Sequence, residues 1–246
     1  MASVDMSVET YVAMQPRYAW RRQIMRSFAR IVFSAAFRVT YTNTDCVPDS
    51  GGAILLMNHI SLLDPVLCIA AMQRRFVLPM SKVENLHHPI IGPLVKFYGG
   101  YTINRSEVDR KALTNSIELA KSGQLILIAP EGTRQDNGLT QPKDGMAYVA
   151  TKADAIIVPA AISGAQHWVS ELKQFKRAPI NVNFGRPFRF KTSGRARIPR
   201  EELSEMSEQA MYQLAAAIQD PALRGVYADL SRAKSDLLEF VDPRHP

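Results

Sequence analysis

At 246 residues and 46% hydrophobic content, the chain is long enough to bury one full core. Its 13 glycines and 15 prolines are spread along the sequence, which excludes a low-complexity or disordered chain, and no fixed repeat is visible. The net charge of +7 points toward nucleic acid, an anionic membrane or acidic substrates without choosing among them. The two cysteines, Cys46 and Cys68, form no C-x-x-C pair, which argues against a disulfide framework or a zinc site and fits a reducing compartment.

The first sixteen residues carry acids and lack the apolar centre of a secretory signal. No stretch approaches the roughly 18 uncharged apolar residues of a membrane span. The expected place is therefore the cytoplasm, with the possibility of lying on a membrane rather than crossing it. Residues 17–39 contain six arginines (Arg17, Arg21, Arg22, Arg26, Arg30 and Arg38) and no acid. Arg22, Arg26 and Arg30 repeat every four residues and stack on one helix face. Trp20, Ile24, Phe28, Ile31 and Ala35 follow the other face. A basic amphipathic helix with Trp and Phe on its apolar side suits a membrane interface. The alternative is a surface helix that packs its apolar face on the core.

Beyond it, short β-type runs appear at 38–42, 53–57, 76–80, 101–103, 125–129, 155–162 and 180–184. Helical patterns lie between them at 64–75, at 106–123 with Ser106 and Gly123 as cap residues, and at 144–154. A basic loop is expected over 189–200, then helices over about 200–219 and 222–240, divided by Asp220-Pro221. Strands apolar throughout, alternating with helices, predict an α/β fold: a single domain with a mixed sheet flanked by helices. The division expected is an N-terminal segment, 1–40, and one domain over 41–246.

The stretch MNHISLLDP, residues 57–65, sets His59 and Asp64 five positions apart. On one continuous helix they would point roughly 140° apart. Pro65 disfavours helical geometry at Asp64, and an Asp-Pro pair suits a helix start. A strand-to-helix turn over 58–63 is then expected, and a turn can fold His59 back onto Asp64. An imidazole held by a carboxylate is fixed in tautomer and keeps its other nitrogen as a base for a hydroxyl. Alone, the spacing is also compatible with a polar turn in which Asp64 only caps its helix. Ser61 lacks the surroundings of a nucleophile and reads as turn-stabilising.

Two further motifs fall at strand ends before turns, where α/β proteins collect functional groups. GGYTINRSE, residues 99–107, carries Arg105, and LIAPEGTRQDN, residues 127–137, carries Glu131, Gly132, Thr133 and Arg134. Two arginines so placed suit a phosphate, through bidentate charge-assisted hydrogen bonds. Together with NHISLLDP, in this order, the set resembles the glycerolipid acyltransferases of the lysophosphatidate acyltransferase group. NHISLLDP matches the first motif of that family and PEGTR the third. GGYTINR resembles the second, and IVPAAI (157–162), containing Pro159, resembles the fourth. Ala129, Gln135 and Asn104 depart from the residues common there, which bears on substrate preference.

The resemblance implies an enzyme that moves a fatty acyl group from acyl-CoA or acyl carrier protein to the free hydroxyl of lysophosphatidate, giving phosphatidate. His59 would be the base and Asp64 its orienting partner, with no acyl-enzyme. Arg105 and Arg134 would hold the acceptor phosphate. Glu131, Gly132 and Thr133 would shape the acceptor site, and the region of Pro159 would line the substrate channel. It implies no cofactor and no metal. Trp20, Arg22, Arg26, Phe28 and Arg30 would bring the enzyme to an anionic membrane surface. Other acceptors, such as glycerol 3-phosphate, share this chemistry. A non-catalytic basic module that binds membrane or nucleic acid explains the charge but not the motifs, and nucleic acid is not an expected partner.

Overall fold

A computed structural model describes residues 7–82, 86–89, 91–103, 108–135 and 137–243. Two helices open the chain, α1 (Val8–Ala13) and α2 (Gln15–Ala36). Then follow β1 (Arg38–Thr42), β2 (Ala53–Met57), α3 (Asp64–Ala71), β3 (Val77–Lys82), α4 (Ile91–Tyr98) and β4 (Tyr101–Ile103). The second half runs α5 (Val108–Lys121), β5 (Leu125–Ile128), α6 (Gly145–Ala153), β6 (Ile156–Ser163), α7 (Trp168–Lys173) and β7 (Pro179–Phe184). It ends with β8 (Phe188–Phe190), α8 (Arg200–Ala217) and β9 (Leu238–Phe240). The strands form one mixed sheet in the order β1-β7-β6-β2-β5-β3-β4, with β8 paired to β6 and β9 to β8.

Strands β2 to β6 run parallel, so their C-terminal ends share one edge of the sheet. Right-handed crossovers put α3 and α4 on one face and α5 and α6 on the other. Accordingly α2 packs on α3 and α4, while α6 packs on α5 and α8. β2 and β6 are buried along their whole length, as strands covered on both faces require. Cys68 lies fully inside this core, where burial pushes its thiol up and leaves it inert.

The structure places α2 the other way round from an ordinary amphipathic helix. Arg22, expected on a face turned to the membrane, is 1% exposed. Its guanidinium donates to Tyr98 O and Gly99 O, both at 3.0 Å, at the end of α4. Arg26 donates to Met72 O and Gln73 O, both at 2.8 Å, just past α3, and Arg30 reaches Ala70 O at 3.4 Å. Helix C-termini carry unpaired carbonyls and negative partial charge, so they draw this arginine face inward. The apolar face is left outside: Trp20, Ile24, Phe28 and Ile31 are each more than half exposed.

The expected helix over 222–240 is absent. Tight 3-10 turns at Pro221–Tyr227 and Leu230–Arg232 take its place, followed by β9. Asp220 and Asp229 accept from Ala222 N and Ser231 N, and these local side-chain bonds compete with a helix. Leu139 also exchanges backbone bonds with Leu223 and Val226 and fixes the segment against another loop. Part of the expected basic loop is β8 instead, because alternation buries both Phe188 and Phe190. Helices α1, α4 and α7 have no counterpart in the sequence-based expectations.

Candidate active site

β2 ends at Met57, and the next residue pins the edge. Asn58, buried, donates through Nδ2 to Ile162 O at 2.8 Å and accepts from Ile162 N at 2.7 Å. Its side chain thus extends the pairing of β2 with β6 by one step while the backbone turns away. The turn 58–63 then leads into α3, which starts at Asp64, one residue earlier than the start at Pro65 that an Asp64 cap predicts. Asp64 does not cap that helix, however. Its Oδ2 points back into the turn and accepts from Ile60 N and Ser61 N, both at 2.7 Å. Ser61 Oγ accepts from Leu63 N at 3.3 Å and tightens the same turn.

The same Oδ2 lies 2.8 Å from His59 Nδ1, so the two motif residues meet as the turn geometry requires. Asp64 is 0% exposed and the His59 side chain 22%. Nδ1 is committed to the carboxylate, and Nε2 makes no hydrogen bond among the described residues. Burial pushes the Asp64 carboxyl above its ordinary range, while the His59 bond and the two backbone donors pull it back. In the neutral imidazole this bond places the proton on Nδ1 and the lone pair on Nε2.

The turn after β5 lies against the first. Gln135 N donates to His59 O at 2.8 Å, which ties the PEGTR loop to the histidine's own backbone. Glu131, 6% exposed, accepts through Oε1 from Thr140 N at 2.8 Å. Its Oε2 and Asp64 Oδ1 are buried oxygens without a hydrogen-bond partner among the described residues. Burial pushes the Glu131 carboxyl up as well, opposed by Thr140 and by the backbone N–H and ring of His59. Gly132 has φ +76, a conformation suited to glycine, and its N–H turns back to Ala129 O at 3.1 Å. Thr133 and Arg134 are exposed at the tip.

Two site expectations are still to be accounted for. Arg105 lies outside the described residues, as does Asn104. Pro159 is buried within β6, opposite Leu56, with its ring packed beneath Gly185. That register falls three residues before His59 in sequence, and Ile162 of the same 157–162 stretch bonds Asn58 beside it. Residues that sequence reading passed over do reach the site. A Cβ on Gly132 would stand 3.2 Å from Lys143 Nζ, so this exposed lysine lies over the PEGTR turn. Its backbone N–H holds Pro130 O at 3.0 Å. For Lys143 the only cue in the sequence is a cation just ahead of a helix; Thr140 offers none, and Asn58 stands in the NHISLLDP motif without a role of its own.

Residues 38–163 match the family described as Acyltransferase. The chain is 27% identical over 143 residues to the 1-acyl-sn-glycerol-3-phosphate acyltransferase of Borreliella burgdorferi, covering 56% of this chain and 57% of that one. It is 28% identical over 149 residues to that of Streptococcus pneumoniae, covering 60% and 54%. It thus spans little more than half the length of these curated relatives. The crystal structure of the 1-acyl-sn-glycerophosphate acyltransferase from Thermotoga maritima shares the fold, with a TM-score of 0.61 at 20% identity over 80% of this chain and 78% of that one. Because the family match extends over more than half the sequence and contains both turns of the His59 edge, this chain belongs to the acyltransferase family.

Proposed function

We propose that this protein transfers a fatty acyl group from a thioester donor to the free hydroxyl of lysophosphatidate, giving phosphatidate. The observation that carries the reading is the bond between His59 Nδ1 and buried Asp64 Oδ2, which leaves Nε2 as a base. The names of the two bacterial relatives support this acceptor. In the proposed step Nε2 takes the proton of the acceptor hydroxyl as its oxygen attacks the thioester carbonyl. Asp64 stabilises the imidazolium so formed. Collapse of the tetrahedral intermediate forms the ester, breaks the C–S bond and returns the proton to the departing sulfur. Acyl-CoA and acyl carrier protein both present such a thioester, and neither needs a metal or an organic cofactor. Arg134, with Arg105 on the resemblance alone, holds the acceptor phosphate; Glu131, Gly132 and Thr133 form the wall beside it.

No described helix is long and apolar enough to cross a membrane. The exposed apolar face of α2 is the surface by which this reading brings the site to its lipid substrate, with the arginines anchoring the helix from beneath. The test is acyl transfer to lysophosphatidate in detergent or vesicles, with both donor types offered to wild type and His59→Ala. Product from wild type and a loss of about 10²–10⁴-fold in the variant is the expected result. Equal turnover by the two proteins removes His59 from the mechanism. Product with glycerol 3-phosphate but not lysophosphatidate moves the assignment to that acceptor.

A further inference from the structure

Two helices of this protein end in the same backbone motif, with opposite choices at its critical residue. After α5, Gly123 N donates to Ala120 O at 2.9 Å and Gln124 N to Leu119 O at 3.1 Å, with Gly123 at φ +80. After α7, Phe175 N donates to Leu172 O at 3.0 Å and Lys176 N to Glu171 O at 2.9 Å, with Phe175 at φ +56. Both are Schellman caps, in which the left-handed residue is usually glycine because it has no Cβ to strain. At the second cap stands a phenylalanine that is 100% exposed. The two cap bonds offset the left-handed backbone in part, but an aromatic ring fully in water is unfavourable and packs on none of the described residues.

The surroundings identify what covers it. Val169 and Leu172 lie three residues apart on α7, and both are exposed on the way to Phe175. Lys173, Lys176 and Arg177 ring the tip, with Glu171 the one acid in the turn. Arg177 Nη2 donates to Phe37 O at 2.6 Å and also to Ser34 O, so the tip is fastened to the C-terminal end of α2. The helix that carries the apolar line Trp20, Ile24, Phe28, Ile31 is therefore joined at its C-terminal end to the residue two positions after Phe175.

We propose that α7 and its Phe175 cap form a second membrane-contact element, with the ring inserted among acyl chains and Lys173 and Lys176 on anionic headgroups. An anionic bilayer offers an apolar phase and a layer of negative charge in the order this turn needs them. A protruding strained tip is shaped for insertion into a fluid phase. The proposal rests on the membrane part of the functional reading above and extends it to a segment far from the N-terminal helix in sequence.

The test is partition of the full chain onto vesicles of zwitterionic lipid, with and without an anionic fraction. Phe175→Gly should bind anionic vesicles about tenfold more weakly, the effect of withdrawing one aromatic side chain from an apolar phase. Its thermal unfolding should stay at or above wild type, since glycine suits the cap. Phe175→Leu should restore most of the binding. Lys173→Glu with Lys176→Glu should abolish the preference for anionic lipid. Unchanged partition of Phe175→Gly overturns the proposal. So does a loss of self-association in that variant without a change in partition, which would assign the surface to a second copy of the chain. A wild type that binds vesicles through Phe175 but transfers no acyl group leaves this element standing and removes the enzymatic reading.

Discussion

The turns after β2 and β5 close neighbouring parallel strands at one edge of the sheet, yet they hold their carboxylates in different ways. Asp64 receives His59 Nδ1 and two backbone N–H groups on a single oxygen, all from within five residues. Glu131 receives Thr140, nine residues away, and has no imidazole bonded to its side chain. The first turn is a closed local unit that fixes one ring nitrogen. The second is held from outside, by Thr140, Lys143 and the His59 carbonyl, and presents its cation Arg134 to solvent. In the function proposed above, proton transfer falls to the first turn and substrate binding to the second.

Asp64→Asn is the sharpest way to break that comparison. An amide keeps the shape of the turn but does not stabilise an imidazolium, so turnover should fall by about 10²–10⁴-fold with little change in acceptor KM. Steady-state kinetics beside a thermal unfolding curve check this. A large rise in acceptor KM with turnover retained would move Asp64 from the reaction to binding. Arg134→Ala should do the reverse. Loss of charge-assisted bonds to a phosphate is worth about 1.5–3 kcal/mol, which raises acceptor KM about tenfold or more and leaves donor KM in place. Equal effects on donor and acceptor would exclude a phosphate clamp at this residue.

The same contrast explains what could be read from the sequence. The His59 turn was legible because its partners lie within one short segment and its ending is signalled by Asp64-Pro65. Strands β1, β2 and β4 were legible for a similar reason, as apolar or alternating runs bounded by turn residues. What long-range contacts decide was not legible. The orientation of α2 depends on carbonyls at the ends of α3 and α4, which draw its arginines inward against the expected pattern. The region 222–240 was read as helix because bonds to Leu139 leave no local trace. Lys143 reaches Gly132 only through the fold of the loop between them.

A subtler measurement separates the two carboxylates by their electrostatics. Burial raises the Glu131 carboxyl above its ordinary range in the folded protein, and the donors from Thr140 and His59 offset this only in part. The folded state therefore binds this proton more readily than the unfolded state does. Its contribution to stability is fully present below the unfolded value and is lost as pH rises through the raised one. Denaturant unfolding of wild type and Glu131→Gln, compared from about pH 4 to about pH 8, should show wild type losing ground to the variant as pH rises. The glutamine carries no charge to bury, so its own curve lacks this dependence. If wild type instead gains on the variant with rising pH, the Thr140 and His59 donors outweigh burial. The second turn would then hold a carboxylate as a committed anion, and an electrostatic role toward His59 would join the part in substrate binding proposed for it.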